Sequence, residues 1–221
     1  MNYLALLTQR DLPTWGLPAK PQVTDRLFRM LAALHGQTWN AAQVGKSLGL
    51  SYHTVNSYVD YLFGAFLVRL LPAFHSNLRK RLVKRPKFFL RDSGLVHALL
   101  NVADQRSLLD QPWVGASWEG YVIEQALGQL AALGKKHEAY YLKTSDGYEL
   151  DLVIDHGAEL WAVEVKLTSS PSPEDFSRLD KAADLIGASR RFLVSQVKES
   201  AGNDRRLSCN LPAFLERLRD A

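Results

Sequence analysis

Two alternating segments joined by a short polar turn constrain this chain more than any other feature. In Tyr148-Glu149-Leu150-Asp151-Leu152-Val153-Ile154-Asp155, the residues Leu150, Leu152 and Ile154 share one face of a strand and Asp151 takes the other. In Leu160-Trp161-Ala162-Val163-Glu164-Val165-Lys166, the period of two groups Trp161, Val163 and Val165 and sends Glu164 and Lys166 to the opposite face. A turn through His156-Gly157-Ala158 makes the pair a hairpin. An even loop brings Asp151 to the face of Glu164, directly opposite or diagonal, and an odd loop separates them.

Two carboxylates placed so repel by about 4 kcal/mol at roughly 4 Å and an effective dielectric of about 20. A hard divalent ion, Mg²⁺ or Mn²⁺, removes that cost, so Asp151 and Glu164 are the candidate metal ligands, with the Val165 carbonyl as a third. Lys166 on the same face could hold a metal-bound water or offset charge developing on a phosphate. The same residues also make a cross-strand salt bridge on a solvated face, and spacing alone leaves both readings open. A third acid bears on the choice. The run Trp118 to Leu130 reads as an amphipathic helix with Glu119, Ile123, Leu127 and Leu130 on one stripe. An acid in an apolar stripe needs a partner, either a metal or a Lys or Arg from elsewhere. Further on, Ser172 caps a helix with Pro173 at its first position and an end near Ile186, and Arg191 to Ser195 reads as a buried strand.

The amino-terminal half has a different pattern. Thr24 to Leu34 carries Leu27, Met30, Leu31 and Leu34 at helical spacing, closed by Gly36. Ala41, Val44 and Leu48 mark a second short helix, Leu48-Gly49-Leu50 a turn, and Ser51 the cap of a third helix with Val55, Tyr58, Val59 and Leu62 inward. Two short helices joined by a Gly-containing turn form a helix-turn-helix pattern. Its outer surface would carry Ser51, Tyr52, His53, Thr54, Asn56 and Ser57, within reach of phosphates or base edges. Phe66 to Leu71 and Lys87 to Leu90 read as strands, and between them Arg79, Lys80, Arg81, Lys84, Arg85 and Lys87 sit where a winged helix has its wing. Such clustering can attract a polyanion although the net charge is only +4, and a solvated loop is the alternative that the run alone leaves open. Gly45-Lys46-Ser47 imitates the end of a phosphate-binding loop, but Asn40 stands where that loop needs glycine and no strand precedes it, so no nucleotide site is expected.

At 221 residues with no long apolar run, the chain has room for one large or two small domains and reads as soluble, with no membrane partner expected. A single cysteine, Cys209, excludes an internal disulfide and a cysteine-based zinc site. Nothing at the amino terminus has the pattern of a signal peptide, and cytoplasm is the expected location.

A helix bearing Glu119, a strand bearing Asp151, a strand bearing Glu164-x-Lys166, then a helix and a strand resembles the PD-(D/E)XK nuclease core. Leu150 stands where that family has its eponymous proline. The resemblance implies that Asp151 and Glu164 bind Mg²⁺ or Mn²⁺, that Lys166 assists hydrolysis and that Glu119 is an auxiliary acid. A wider likeness rests on Thr54-Val55-Asn56-Ser57-Tyr58, Leu67-Val68-Arg69-Leu70-Leu71-Pro72, the run Lys80 to Lys87, Arg91-Asp92-Ser93-Gly94-Leu95 and Gly115-Ala116-Ser117-Trp118-Glu119-Gly120. In order and spacing these resemble the carboxy-terminal region of bacterial and archaeal AAA-type P-loop ATPases, in which a winged helix and a PD-(D/E)XK-like domain follow the ATPase domain. The ATPase domain has no counterpart here.

The expected architecture is therefore α/β in its parts and α+β overall. Residues 1–21 act as a connector from an absent ATPase domain, residues 22–100 as a winged helix-turn-helix, and residues 101–221 as a restriction-endonuclease-like mixed sheet flanked by helices. The expected function is DNA binding with metal-dependent phosphodiester hydrolysis. The alternative is a non-enzymatic module docking nucleic acid, an ATPase domain or another protein.

Overall fold

The computed structural model of the chain describes residues 3–74 and 84–220. Contacts divide the chain into two units, Met1–Leu70 with Phe88–Ser117, and Leu71–Lys87 with Trp118–Ala221. This division differs from a cut between residues 100 and 101 in two respects. Residues beyond 100 still serve the first unit, where Trp113 packs on its core and the Ser117 hydroxyl lies 2.8 Å from His97 Nε2. The segment before β3 is counted instead with the second unit, for reasons given below.

The first unit begins with α1 (Tyr3–Leu6), a π-helical turn (Leu7–Asp11) and α2 (Leu12–Thr14). Leu7, Leu12 and Leu17, which fall in the expected connector, are buried in the same core as the helices that follow. In α3 (Pro21–Ala33) the buried positions Leu27, Phe28, Leu31 and Ala32 form the apolar stripe. Then come β1 (Gln37–Thr38), α4 (Ala41–Leu48) and α5 (Tyr52–Gly64). Asn40 caps α4 through Gln43 N–H, Gly49 closes it at φ 69°, and Ser51 caps α5 by accepting from Thr54 N–H at 3.1 Å. A sheet in the order β1-β3-β2 joins β1 to β2 (Val68–Leu71) and β3 (Lys87–Leu90). Phe66 and Leu67 stay outside β2 because Phe66 takes φ 58° in the turn that leaves α5, with its ring exposed. α6 (Ser93–Leu99) and α7 (Gln105–Leu109) follow, capped by Asp92 and Asp104.

Gly45 lies inside α4, with Lys46 and Ser47 beside it, so the triplet belongs to a helix and not to a phosphate loop. A Cβ at Gly45 would come within 2.6 Å of the Leu50 carbonyl, where the chain turns between α4 and α5. Helix propensity alone favours alanine by about 1 kcal/mol. A backbone oxygen cannot swing aside as a side chain can, so Gly45→Ala is expected to lower stability by about 1 to 3 kcal/mol. Chemical denaturation checks the sign, and a gain would show that the turn relaxes freely.

The second unit is built on a mixed sheet in the order β4-β5-β6-β7-β9-β8, which places the chain in the α+β class. Strands β4 (Glu138–Lys143), β5 (Glu149–Asp155) and β6 (Leu160–Val165) run antiparallel in sequence. β7 (Arg190–Val194) is parallel to β6, β9 (Arg206–Cys209) is parallel to β7, and β8 (Ala201–Gly202) pairs antiparallel with β9. The crossover from β6 to β7 is α9 (Pro173–Ile186), started by a reciprocal Ser172–Asp175 capping box with Pro173 in the first turn, and ended by Gly187 at φ 66°. α8 (Val114–Ala132) precedes the sheet and α10 (Leu211–Arg219) closes the chain.

Strand alternation gives the sheet two apolar faces. Val153, Ala162 and Leu193 pack with Leu179, Ala182, Ala183 and Ile186 of α9. Trp161 and Phe192 face the other way, where Phe192 meets Phe214 of α10 with ring centres 5.1 Å apart. Gln129 and Lys135 bond to carbonyls of α10, which ties the end of α8 and its sequel to that helix.

The segment before β3 forms an extra contact at the sheet edge. Ala73 makes a parallel bridge to Tyr141, the Tyr141 N–H donates to Pro72 O and the Phe74 N–H to Tyr141 O. Phe74 then joins the core under α9, its ring 5.5 Å from that of Tyr140. These bonds tie Pro72 to Phe74 to the second unit, with which Leu71–Lys87 is counted, whereas Arg79, Lys80 and Arg81 of the expected wing lie outside the described residues.

Candidate functional site

The hairpin meets the condition that the alternation set. β5 ends at Asp155 and β6 starts at Leu160, so the loop is an even four residues, turned at Gly157 with φ 84° and an Asp155 side-chain bond to Gly157 N–H. The ladder runs from Asp155 with Leu160 to Leu152 with Val163, so Asp151 and Glu164 come just beyond its end on a shared face, close enough for the Asp151 charge to act on Glu164. Both are buried, each 8% exposed, on the face that Val153 and Ala162 continue toward α9. Asp151 Oδ2 accepts from the Val165 N–H at 2.9 Å, which holds the carboxylate against β6. Lys166 Nζ lies 2.6 Å from Glu164 Oε1, as two residues on one strand face can. Glu164 Oε2 is buried with no hydrogen-bond partner among the described residues. Burial first, then the charge of Asp151, pushes the Glu164 carboxyl above its ordinary range despite Lys166.

Glu119 lies on the buried stripe of α8 with Val122, Ile123, Leu127 and Leu130 as its apolar companions. Its partner is a lysine from a distant part of the sequence. Lys87 Nζ stands 2.9 Å from Glu119 Oε1, 3.0 Å from Glu149 Oε1 and 3.6 Å from Asp151 Oδ1. Lys87 is 5% exposed and lies 5.5 Å from the Tyr141 ring centre. Burial alone would lower the ammonium's pKa, but the three carboxylates outweigh it and hold the group protonated. Glu119 is pushed up by burial and by Asp151 against the pull of Lys87, whereas burial of Glu149 is outweighed by Lys87 and Lys143 and its pKa falls. Lys143 Nζ is 2.9 Å from Glu149 Oε2.

Lys87 is thus a correction: a buried ammonium among carboxylates has no surface left for a phosphate, so it is no DNA contact in this arrangement. Glu149 and Lys87 are the two site residues that sequence reasoning missed. Glu149 was open to discovery, being two residues from Asp151 on one strand, and Lys87 was not, because no local period links it to the hairpin.

The donor set suits a small hard cation only as a two-carboxylate site. Asp151 and Glu164 share one face and Glu164 Oε2 lacks a partner among the described residues, which fits Mg²⁺ or Mn²⁺ completed by water. Among the described residues no group of three or more His, Cys, Asp or Glu side chains is arranged to hold a metal.

The expected DNA-reading residues are placed unevenly. Tyr52 and His53 are exposed at the start of α5 with ring centres 3.8 Å apart. The Ser51 hydroxyl is engaged in the cap and lies 2.8 Å from the Thr54 hydroxyl. Asn56 Oδ1 accepts from Trp39 Nε1–H at 3.0 Å, which turns that oxygen to a structural use. Lys84 and Arg85 are exposed, while Arg79, Lys80 and Arg81 lie outside the described residues. No helix among the described residues is long and apolar enough to cross a membrane.

Comparison with known proteins adds kinship. Residues 1–106 match a family described as "Domain of unknown function (DUF8612)" and residues 114–214 one described as "Domain of unknown function (DUF4143)". The chain is 38% identical over 171 residues, 77% of its length, to Uncharacterized protein Rv2008c of Mycobacterium tuberculosis (strain ATCC 25618 / H37Rv). The same figures hold for Uncharacterized protein Mb2031c of Mycobacterium bovis (strain ATCC BAA-935 / AF2122/97). Among solved structures, protein VC1899 from Vibrio cholerae aligns with all of this chain and 56% of its own at 13% identity and a TM-score of 0.34, a likeness too slight to argue from. The chain spans only 38% of the length of the two mycobacterial relatives, and its two halves match two separate families of unknown function.

Proposed function

We propose that the chain is a DNA-binding protein whose second unit is a PD-(D/E)XK-like, metal-dependent phosphodiesterase, and whose first unit is a winged helix-turn-helix. One observation carries the reading. Asp151 and Glu164 lie on one face of neighbouring strands, buried, with Lys166 on Glu164 and one oxygen of Glu164 left without a partner among the described residues. Asp151 and Glu164 would hold Mg²⁺ or Mn²⁺. When bound, the ion supplies polarisation of the phosphate and a water of lowered pKa. The chain's own residues do the rest. The Val165 N–H orients the Asp151 carboxylate, and Lys166, half-buried beside Glu164, places positive charge where a phosphorane would gather negative charge. Tyr52 and His53 offer an exposed aromatic edge to bases or sugar, and Lys84 and Arg85 offer charge to phosphates. An ATPase domain or another protein is the further partner that the resemblance to ATPase-linked proteins implies.

A second reading has its own observation. Lys87 already compensates Glu119, Glu149 and Asp151, so the acids can be satisfied without metal, and the fold then serves as a docking module. Incubation with plasmid in Mg²⁺ or Mn²⁺ separates the two. Cleavage by the parent protein and loss of about 10² to 10³ in rate for Asp151→Ala and Lys166→Ala is the expected result. Cleavage that the two variants match would assign the activity to a contaminant and leave the docking reading.

A further inference from the structure

We infer that the ammonium of Lys87 stands in the place of a divalent cation shared by Glu119 and Asp151, so that lysine and metal exclude one another there. The inference deepens the metal-dependent reading and rests on it for the kind of ion. Its basis is geometric. One buried nitrogen lies within 3.6 Å of oxygens from three carboxylates that come from α8 and from two positions of β5. An ammonium is a compact point charge with three donors, so it gathers oxygens much as a small cation does. A divalent ion would need the same oxygens at about 2.0 to 2.6 Å, and no second positive charge fits between them.

The surroundings divide the acids into those that need Lys87 and one that does not. Glu149 keeps Lys143 at 2.9 Å if Lys87 leaves. Glu119 has no other cationic partner among the described residues, whereas Asp151 keeps the Val165 N–H and the more distant charge of Lys166. Departure of Lys87 therefore leaves Glu119 without a cation and Asp151 short of its nearest one, next to the orphaned oxygen of Glu164. The lysine is also tethered, since the Tyr141 hydroxyl donates to the Arg85 carbonyl two residues earlier and the Tyr141 ring lies below the ammonium. Lys87 is thus a positioning residue: it gathers the acids and sets how much metal is needed to displace it.

The test reads Mn²⁺ binding by titration calorimetry on the full chain, with Lys87→Met keeping the volume and removing the charge. The variant is expected to bind Mn²⁺ at least about tenfold more tightly than the parent, and Lys87→Met with Glu119→Gln to lose most of that gain. Equal or weaker binding by folded Lys87→Met overturns the inference. The parent protein supplies a readout free of folding effects: acetic anhydride labelling of Lys87, followed by mass spectrometry, should rise severalfold in saturating Mg²⁺. Labelling that stays unchanged while Mg²⁺ binds also overturns it. If no protein cleaves DNA but Lys87→Met gains Mn²⁺, the nuclease reading fails and this inference stands. If the parent cleaves with Mg²⁺ and Lys87→Met gains nothing, the reverse holds.

Discussion

Lys87→Met, measured in EDTA, is expected to cost the second unit about 3 to 5 kcal/mol of stability, because removing one partner from a buried ionic cluster leaves the others uncompensated. The side chains of Lys87, Glu119 and Asp151 are 6%, 13% and 12% exposed, so water can do little to screen the loss. Glu149, at 34% and with Lys143 beside it, should contribute little to the cost. Returning the cluster to its original net charge by adding Glu119→Gln should recover a good part of the loss, since an amide needs no counter-charge. Urea titration followed by circular dichroism measures each step. A loss below about 1 kcal/mol for Lys87→Met would mean that the cluster is more open to water than its geometry indicates.

Trp161→Ala should be comparably severe, at about 3 to 5 kcal/mol, for a different reason: it empties a large apolar volume. Trp161 is 1% exposed, with its ring centre 5.1 Å from that of Phe192 and 5.0 Å from that of His156, and with Arg190 stacked 4.8 Å from it. Its indole N–H also bonds Glu159 at 3.1 Å, at the exit of the hairpin loop. Trp161→Phe keeps most of the ring contacts and should lose clearly less than the alanine variant. The effect should reach the site as well, because Trp161 pairs with Ile154 on the same two strands that bring Asp151 and Glu164 together. Equal stability for the two variants would place the indole outside the cooperative core.

The hairpin and its acids were legible in the sequence because a strand's period of two is strict and the loop proved even. Ser172 with Pro173 was equally plain, since capping is a local matter of one hydroxyl and the next three residues. The partner of Glu119 was legible only as a need. Lys87 lies 32 residues earlier, inside a basic run whose charge pattern points to solvent, and only the three-dimensional path of the chain turns it inward. The edge contact of Ala73 was hidden for the same kind of reason: its pairing with Tyr141 joins residues far apart, and no periodicity encodes it. β9, with one four-residue alternation in Arg206-Leu207-Ser208-Cys209, is too short for a period to announce, although Asn210 and Pro212 do mark the start of α10.

The Ala73 bridge also affects how copies of this molecule meet. An unpaired outer strand invites a second chain to extend the ladder, a common route to aggregation. Here β4 would be such a strand, yet Pro72 to Phe74 occupies its outer hydrogen bonds around Tyr141, and the opposite rim, β8, is only two residues long. Pro72 to Phe74 thereby covers part of a rim that would otherwise stand open to a second strand.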